Sequence, residues 1–445
     1  MKHRSYKKPC VFALAILLAG PFYKADAQNT KTITLDQAVQ MSLKNSNQLK
    51  IDNAKVEEAT GARKEAWNNH LPDVKASGSY LRLNNPNYSI KIKTGGSDSS
   101  GGGGAVPKIN SAMYGMVNAS VPIFSGLRIK YGTEAAKYLE QAAKLDAEND
   151  KGAVILNTAN AFSNLFKARE YVGLVKQNLN QQQQRVIDFT NMEKNGLLAR
   201  NDLLKAQLQE SNMELSLLEA ENDLQTTYVS MDIMLGLPEN TELVPDTSGF
   251  HIADAGSLIQ WEQTALTNRK DVSALSFREK AANMSIKATK GEYYPGIAVT
   301  GGFVAADIPN LLTIDNAMDI GVGLQYNLGS LWKTGAKVEQ AKARMHEVQA
   351  SENMLTDQIR LDITQAYQGY ILSLKKIEVY KKAVEQADEN YRITKNKFDN
   401  SLVTTTDLLE ADVAQLQAQL SSLLSKADAL VAYKKLQQTA GILSK

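Results

Sequence analysis

The stretch "NGLLARNDLLKAQ" at 195–207 returns 205 residues later as "NSLVTTTDLLEAD" at 400–412. Each copy runs from a polar turn through Asp-Leu-Leu into a leucine-rich segment, so the chain writes one helical hairpin twice. The same offset, without a gap, aligns Ala161-Phe162 with Ala366-Tyr367, Ala136-Lys137 with Ala341-Lys342, Tyr228 with Tyr433 and Gly236 with Gly441. Upstream the offset becomes 223, pairing Leu35 with Leu258, Leu43 with Leu266, Asn45 with Asn268 and Pro72 with Pro295. The difference of 18 is an insertion between Pro72 and Pro122, and "TGGSDSSGGGG" at 94–104 is the place for it. A twofold internal repeat therefore organises the molecule.

Each half reads as a helix, two strands and then long helices. The first helix opens on a capping box, Thr34-x-x-Gln37 in one half and Ser257-x-x-Gln260 in the other, where a hydroxyl and a glutamine satisfy orphan amides. It gives way to extended chain at Pro72 and Pro295, because proline removes a donor and pushes its predecessor out of the α region. The strands alternate. Met318, Ile320, Val322, Leu324, Tyr326 and Leu328 fall on one face of "MDIGVGLQYNL", with Asp319, Gly321, Gly323, Gln325 and Asn327 on the other. Ile297, Val299, Phe303 and Ala305 repeat the pattern, as do Met113, Val117, Ala119, Val121 and Ile123; the segment from Val74 to Leu83 is less regular. Four such strands cannot close a barrel alone, and as two hairpins they leave open edges.

Beyond the strands the helical pattern is continuous from about Leu127 to Lys194, on the order of 100 Å at the α-helical rise. Leu409, Val413, Leu416, Leu420, Leu423, Ala427 and Leu430 step by four and three in the last helix. Leu204, Leu208, Leu215 and Leu218 do the same in the first half, with Ser211 at one seam position. This 3.5-residue repeat predicts that each hairpin packs its two helices along these leucines.

The N-terminus carries Lys2, Arg4, Lys7 and Lys8, an apolar run Val11 to Gly20, and Ala25-Asp26-Ala27, the three parts of a secretory signal peptide over 1–27. Cys10, the one cysteine, lies inside it and outside any lipoprotein cleavage pattern, so the mature chain is expected to carry neither disulfide nor lipid anchor. Without the signal, 45 basic residues face 47 acidic ones, a balance that does not suggest nucleic acid. After the signal no run of 18 apolar residues occurs, which excludes spanning helices; membrane entry, if any, falls to the strands. Four histidines (His3, His70, His251, His346) make no ligand-spaced pair, and "GGGGAVPK" lacks phosphate-loop spacing. Neither enzyme chemistry nor a metal or cofactor site is expected.

The paired repeats, "VPIFSG" at 121–126 leading into an Ala-rich helix, and the two hairpin turns together resemble the TolC-type outer-membrane efflux protein family over essentially the whole mature chain. The resemblance implies a mixed α/β fold in which long helical hairpins form a periplasmic α-barrel. Four transmembrane strands per protomer would close as a twelve-stranded β-barrel in a homotrimer. It divides the chain into a signal peptide (1–27), an N-terminal segment with the first helix (28–71), a β-hairpin (72–124), a helical hairpin (125–235), an equatorial linker (236–256), the helix of the second repeat (257–294), a second β-hairpin (295–328), and a second helical hairpin with the C-terminus (329–445). It also implies an exit duct of a tripartite efflux or type I secretion system, in the outer membrane and reaching into the periplasm, with a periplasmic adaptor protein and an inner-membrane pump as partners. The hairpin turns would meet the adaptor through Gly196 and Leu197 and through Ser401 and Leu402. Asp407 and Glu410 would constrict the pore, with Asp202 as a neighbouring acid.

From the residues alone Asp407-x-x-Glu410 also reads as an N-cap with an N3 carboxylate, Asp202 as a cap of its own helix, and Leu197 as packing beside a left-handed Gly196. Val403 and Phe398 stand where some relatives carry a polar clasp, and Lys205 is placed to pair with an acid across an interface. The insertion at 94–104, with Ser99 near its middle, is expected at an extracellular loop tip. A periplasmic coiled-coil adaptor or structural protein without a membrane barrel is the competing reading, and it leaves the four strands unexplained.

Overall fold

The computed structural model describes residues 30–84, 109–239, 241–248, 253–309 and 311–443. The signal segment 1–27 and the insertion 94–104 lie outside the described residues. The chain divides into two units, the first holding residues up to 46, 154–255 and 368–435, the second residues 47–153, 256–367 and 436 onward. Among the described residues no helix is long and apolar enough to cross a membrane.

The first unit begins with β1 (Thr30–Thr34), which pairs in parallel with β4 (Glu242–Asp246). Sequence periodicity does not reveal these five-residue strands. Thr34 then caps α1 (Leu35–Asn45): its hydroxyl accepts from Gln37 N at 3.2 Å, and Gln37 returns the bond to Thr34 N. Two long hairpins follow, α3 (Arg128–Lys194) with α4 (Arg200–Leu235), and α7 (Ser330–Asp399) with α8 (Thr405–Thr439); the N-terminal parts of α3 and α7 belong to the second unit. Ile33, Ala38, Phe162, Leu165, Tyr228, Met231, Leu235 and Leu243 form one buried cluster. Here the repeat acquires a physical reason. Gly236 ends α4 in the left-handed region at φ 70°, and a Cβ on it would come within 2.8 Å of Asn45. Asn45 in turn donates to the Leu235 carbonyl at 2.5 Å.

The helical seam differs from the expected one. In the part of α4 up to residue 220 the buried residues are Leu203, Ala206, Met213 and Ala220, while Leu204, Leu208, Leu215 and Leu218 are exposed. On α8 Ala427 and Leu430 of the expected seam are buried, but Val413 is exposed and Leu408 and Ala411 are buried in addition. At about 100° per residue the two stripes fall on nearly opposite faces of α4. The small side chains Ala206 and Ala220 belong to the buried one.

The second unit contains α2 (Asn47–Asn68), α5 (Leu258–Asn268), α6 (Lys270–Lys290) and a four-stranded antiparallel sheet of β2 (Asp73–Arg82), β3 (Ser111–Phe124), β5 (Gly296–Ile308) and β6 (Leu312–Gln325), in that order. What the repeat suggests as a single helix in each half is two helices, broken at Ser46 and at the equivalent Arg269, with ψ 117° and 126°. The second break faces Gly441, whose Cβ would sit 2.9 Å from Arg269 Cα. In each half a left-handed glycine thus closes on the helix break, Gly236 against the Asn45 side chain and Gly441 against the Asn268–Arg269 backbone.

The sheet joins both β-hairpins through β3 and β5. Its register puts Ala76, Val117, Phe303 and Met318 in one row, and Val74, Ala119, Gly301 and Ile320 in the next row of that face. The opposite face carries Lys75, Asn118, Gly302 and Asp319, then Asp73, Ser120, Thr300 and Gly321. β6 ends at Gln325, so Tyr326 and Leu328 lie beyond it; Tyr326 donates to the Tyr293 carbonyl at 3.3 Å instead. A bulge between Pro122 and Phe124 takes Ile123 out of the pairing. On β6 the apolar side chains Met318, Ile320, Val322 and Leu324 are 81, 87, 73 and 71% exposed.

Candidate functional site: the paired hairpin tips

The turn after α3 is a Schellman motif: Leu197 N–H donates to the Met192 carbonyl at 2.8 Å and Gly196 N–H to that of Glu193 at 2.9 Å. Gly196 takes φ 71°. The turn after α7 is built identically, Leu402 N–H to Lys397 O and Ser401 N–H to Phe398 O, both 2.8 Å. Ser401 holds φ 58°, a region that a side chain makes costly. Leu197 and Leu402 follow these caps at 73 and 72% exposure. Neither packs against its own hairpin, contrary to the packing reading of Leu197.

The acids divide by role. Asp407 is not the N-cap of α8. Thr404 is, with Asp407 at N3: Asp407 N donates to Thr404 Oγ1 at 3.2 Å, and Asp407 Oδ2 accepts from Thr404 N at 2.7 Å. The Thr404 hydroxyl and backbone N–H hold the Asp407 carboxyl below its usual range, so it is charged at neutral pH. Glu410 is exposed one turn further on. Asp202 does not cap α4 either; Ala199 occupies that position without a side-chain bond, and Asp202 pairs with Lys205 at 3.1 Å. Lys205 also donates to Thr406 Oγ1 at 3.3 Å, tying the two tips together. Phe189, Leu203, Ala206 and Leu408 form the core beneath them, with Phe398 stacked on Phe189 at 5.4 Å between ring centroids. Phe398 thus serves as packing.

Just above lies a polar network that sequence reasoning missed. Arg185 on α3 is buried and gives NH1 to Asp412 Oδ2 at 3.2 Å and NH2 to Asp412 Oδ1 at 3.3 Å, and NH2 also reaches the Tyr391 hydroxyl at 2.9 Å. Gln182, fully buried, donates to the same carboxylate and accepts from Arg185 at 3.2 Å. Three helices, α3, α7 and α8, are locked by one guanidinium. The available signal was Asp412 itself, an acid among leucines where the repeat has Gln207.

The family model for outer membrane efflux proteins matches residues 38–237 and 261–442. The chain belongs to the outer membrane efflux protein family. Within that family it is similar to the outer membrane efflux protein BepC of Brucella suis, at 22% identity over 398 residues, 86% of this chain and 85% of the relative. The alkaline protease secretion protein AprF of Pseudomonas aeruginosa is 22% identical over 252 residues, covering 55% of this chain and 52% of that one. Among solved structures, the CmeC outer membrane channel of Campylobacter jejuni superposes with TM-score 0.77 at 18% identity, covering 92% of this chain and 86% of that one. VceC of Vibrio cholerae gives 0.74 at 17%, with 92 and 96% covered. At such identities the solved channels establish the efflux-protein fold. The family is one of outer-membrane channels, in line with the expected non-enzymatic role.

Proposed function

We propose that the chain is one third of an outer-membrane exit duct. Three copies would each give β2, β3, β5 and β6 to a twelve-stranded barrel, and their helical hairpins would form a conduit through the periplasm. The exposed aliphatic face of β6, on a sheet with two open edges, carries this reading. In water such an edge invites aggregation, whereas closure in lipid satisfies every backbone group and buries the apolar face. Substrates would pass by diffusion once an inner-membrane pump and a periplasmic adaptor deliver them. The protein extracted in detergent should scatter light as a trimer after subtraction of detergent mass; a monomer or dimer would refute the assembly, and solubility without detergent would favour the coiled-coil adaptor.

At the tips, Asp407 and Glu410 from three chains would gather six carboxylates around the pore. The double change Asp407→Ala, Glu410→Ala should raise conductance in planar bilayers and abolish block by trivalent cations. Because the Asp407 carboxyl is held below its usual range, its share of the block should persist as pH falls through that range, and disappear only below the depressed value. Unchanged conductance and block, with only a lower melting temperature, would leave Asp407 as a cap alone.

The bare leucines of the tips suit adaptor contact. Leu197→Asp with Leu402→Asp should abolish efflux in cells while the extracted protein stays trimeric. Normal export from that variant would remove the adaptor from these turns.

A further inference from the structure

α2 lies antiparallel along the start of α3, and the contact is polar. Thr133 donates to the Ala66 carbonyl at 3.2 Å, and Thr60 donates to Glu140 at 3.4 Å. Glu140 is buried, but two cations answer its one charge, Lys144 at 2.7 Å and Arg63 at 2.5 Å. Towards the start of α2 the balance reverses. Asp52, 3% exposed, and Asp150 meet across the two helices. Gln48 donates to both Asp52 oxygens at 3.2 and 3.3 Å, and Lys55 reaches Oδ1 at 3.0 Å from a side chain that is 61% exposed. Asn149 donates to Asp150. The remaining charges at this level are matched to α6, Asp146 with Arg278 and Glu148 with Lys270 at 3.2 Å. Two acids are therefore left with one solvated amine.

The other half of the repeat puts no carboxyl here. Asp52 and Asp150 correspond to Leu275 and Leu355, and Arg63 and Glu140 to Ile286 and Met345. Gln349 donates to Glu279 at 3.1 Å, joining α6 to α7 in the same antiparallel sense. A pair of leucines thus fits this helix contact, and packing does not require the acids. Two carboxylates in hydrogen-bond contact repel when both are ionised. Burial, then the charge of Asp52 and the bond that Asp52 accepts, hold the Asp150 carboxyl above its usual range, with Asn149 and Lys55 acting the other way. A carboxyl raised in the folded state contributes stability that is complete below the ordinary carboxylate range and is lost as pH rises through the raised value.

We propose that Asp52 and Asp150 are a proton-operated latch between α2 and α3. With one proton between them Asp150 donates to Asp52 and the helices close; once it leaves, two carboxylates face each other and α2 loosens. Acid thus tightens the helix that runs through Pro72 into β2. The latch belongs to one chain and stands whether or not three chains assemble. Hydrogen exchange on the full chain in detergent, from about pH 5 to about pH 8 and corrected for the intrinsic pH dependence of exchange, reads it directly. Protection of amides 48–56 in α2 is expected to fall several-fold as pH rises, while that of 271–279 in α6 stays level. Asp150→Asn keeps a donor that cannot ionise, and Asp52→Leu with Asp150→Leu copies the second half; each should flatten the profile of α2. A flat profile in the parent, an equal fall in α6, or a slope that survives in both variants overturns the latch.

Discussion

Asp412→Ala should open the tip end of the helical hairpins, lowering the protection of amides around 182–189 and 408–416 against hydrogen exchange by about a hundred- to a thousandfold. Arg185 and Asp412 are both buried, at 8 and 2% exposure, and the change would leave the buried guanidinium, among the described residues, only the neutral Gln182 and Tyr391 as partners. Removing one partner of a buried pair costs about 3–5 kcal/mol, mostly as the uncompensated charge that remains, and every 1.4 kcal/mol is about tenfold in an opening equilibrium. The double change Arg185→Met, Asp412→Leu removes the stranded charge, so it should recover most of the loss. If the single change protects as well as the double, the network does not hold the hairpins together.

Gly126→Ala should be the most damaging single-methyl change in the second unit. The residue closes "VPIFSG" at 121–126, between β3 and α3, with φ 65°. A Cβ there would lie 2.1 Å from the Gly291 carbonyl oxygen and 3.1 Å from Tyr294 Cβ. Gly291 is reciprocally closed, its own Cβ falling 2.4 Å from the Gly126 carbonyl oxygen. Backbone meets backbone, so no rotamer relieves the clash. Overpacking costs about 1–3 kcal/mol, and the left-handed backbone adds about 1–2 kcal/mol for an L-residue. Gly132→Ala is the internal control: nothing lies within 4 Å of its Cβ, and in the α3 interior alanine gains up to about 1 kcal/mol over glycine. Thermal melts should place Gly126→Ala well below the parent and Gly132→Ala at or above it. Equal melting of the two variants would sink the close-approach argument.

The same residues mark where sequence reading succeeds and where it stops. Pro72 and Pro295 stand where helix turns to strand, and both capping boxes form between the residues that spell them, because these devices act within a few residues. "VPIFSG" was readable as a strand leading into a helix, but the need for glycine at 126 comes from Gly291, 165 residues away. Asp407 was placed one role away from its own. Three consecutive threonines precede it, each able to cap, and the turn ending at Leu402 gives the position to Thr404.

Determined by the sequence itself were the twofold repeat, the two capping-box helix starts, the period-two faces of the strands and the hairpin turns, all consequences of backbone periodicity and short-range hydrogen bonding. Only the tertiary structure decided which of two leucine stripes on α4 is core, that β1 and β4 pair, and that Arg185 meets Asp412 across 227 residues. Hydrophobicity along one helix is the same whichever face is covered. The choice belongs to the surface opposite, and that surface is supplied by segments far away in the chain.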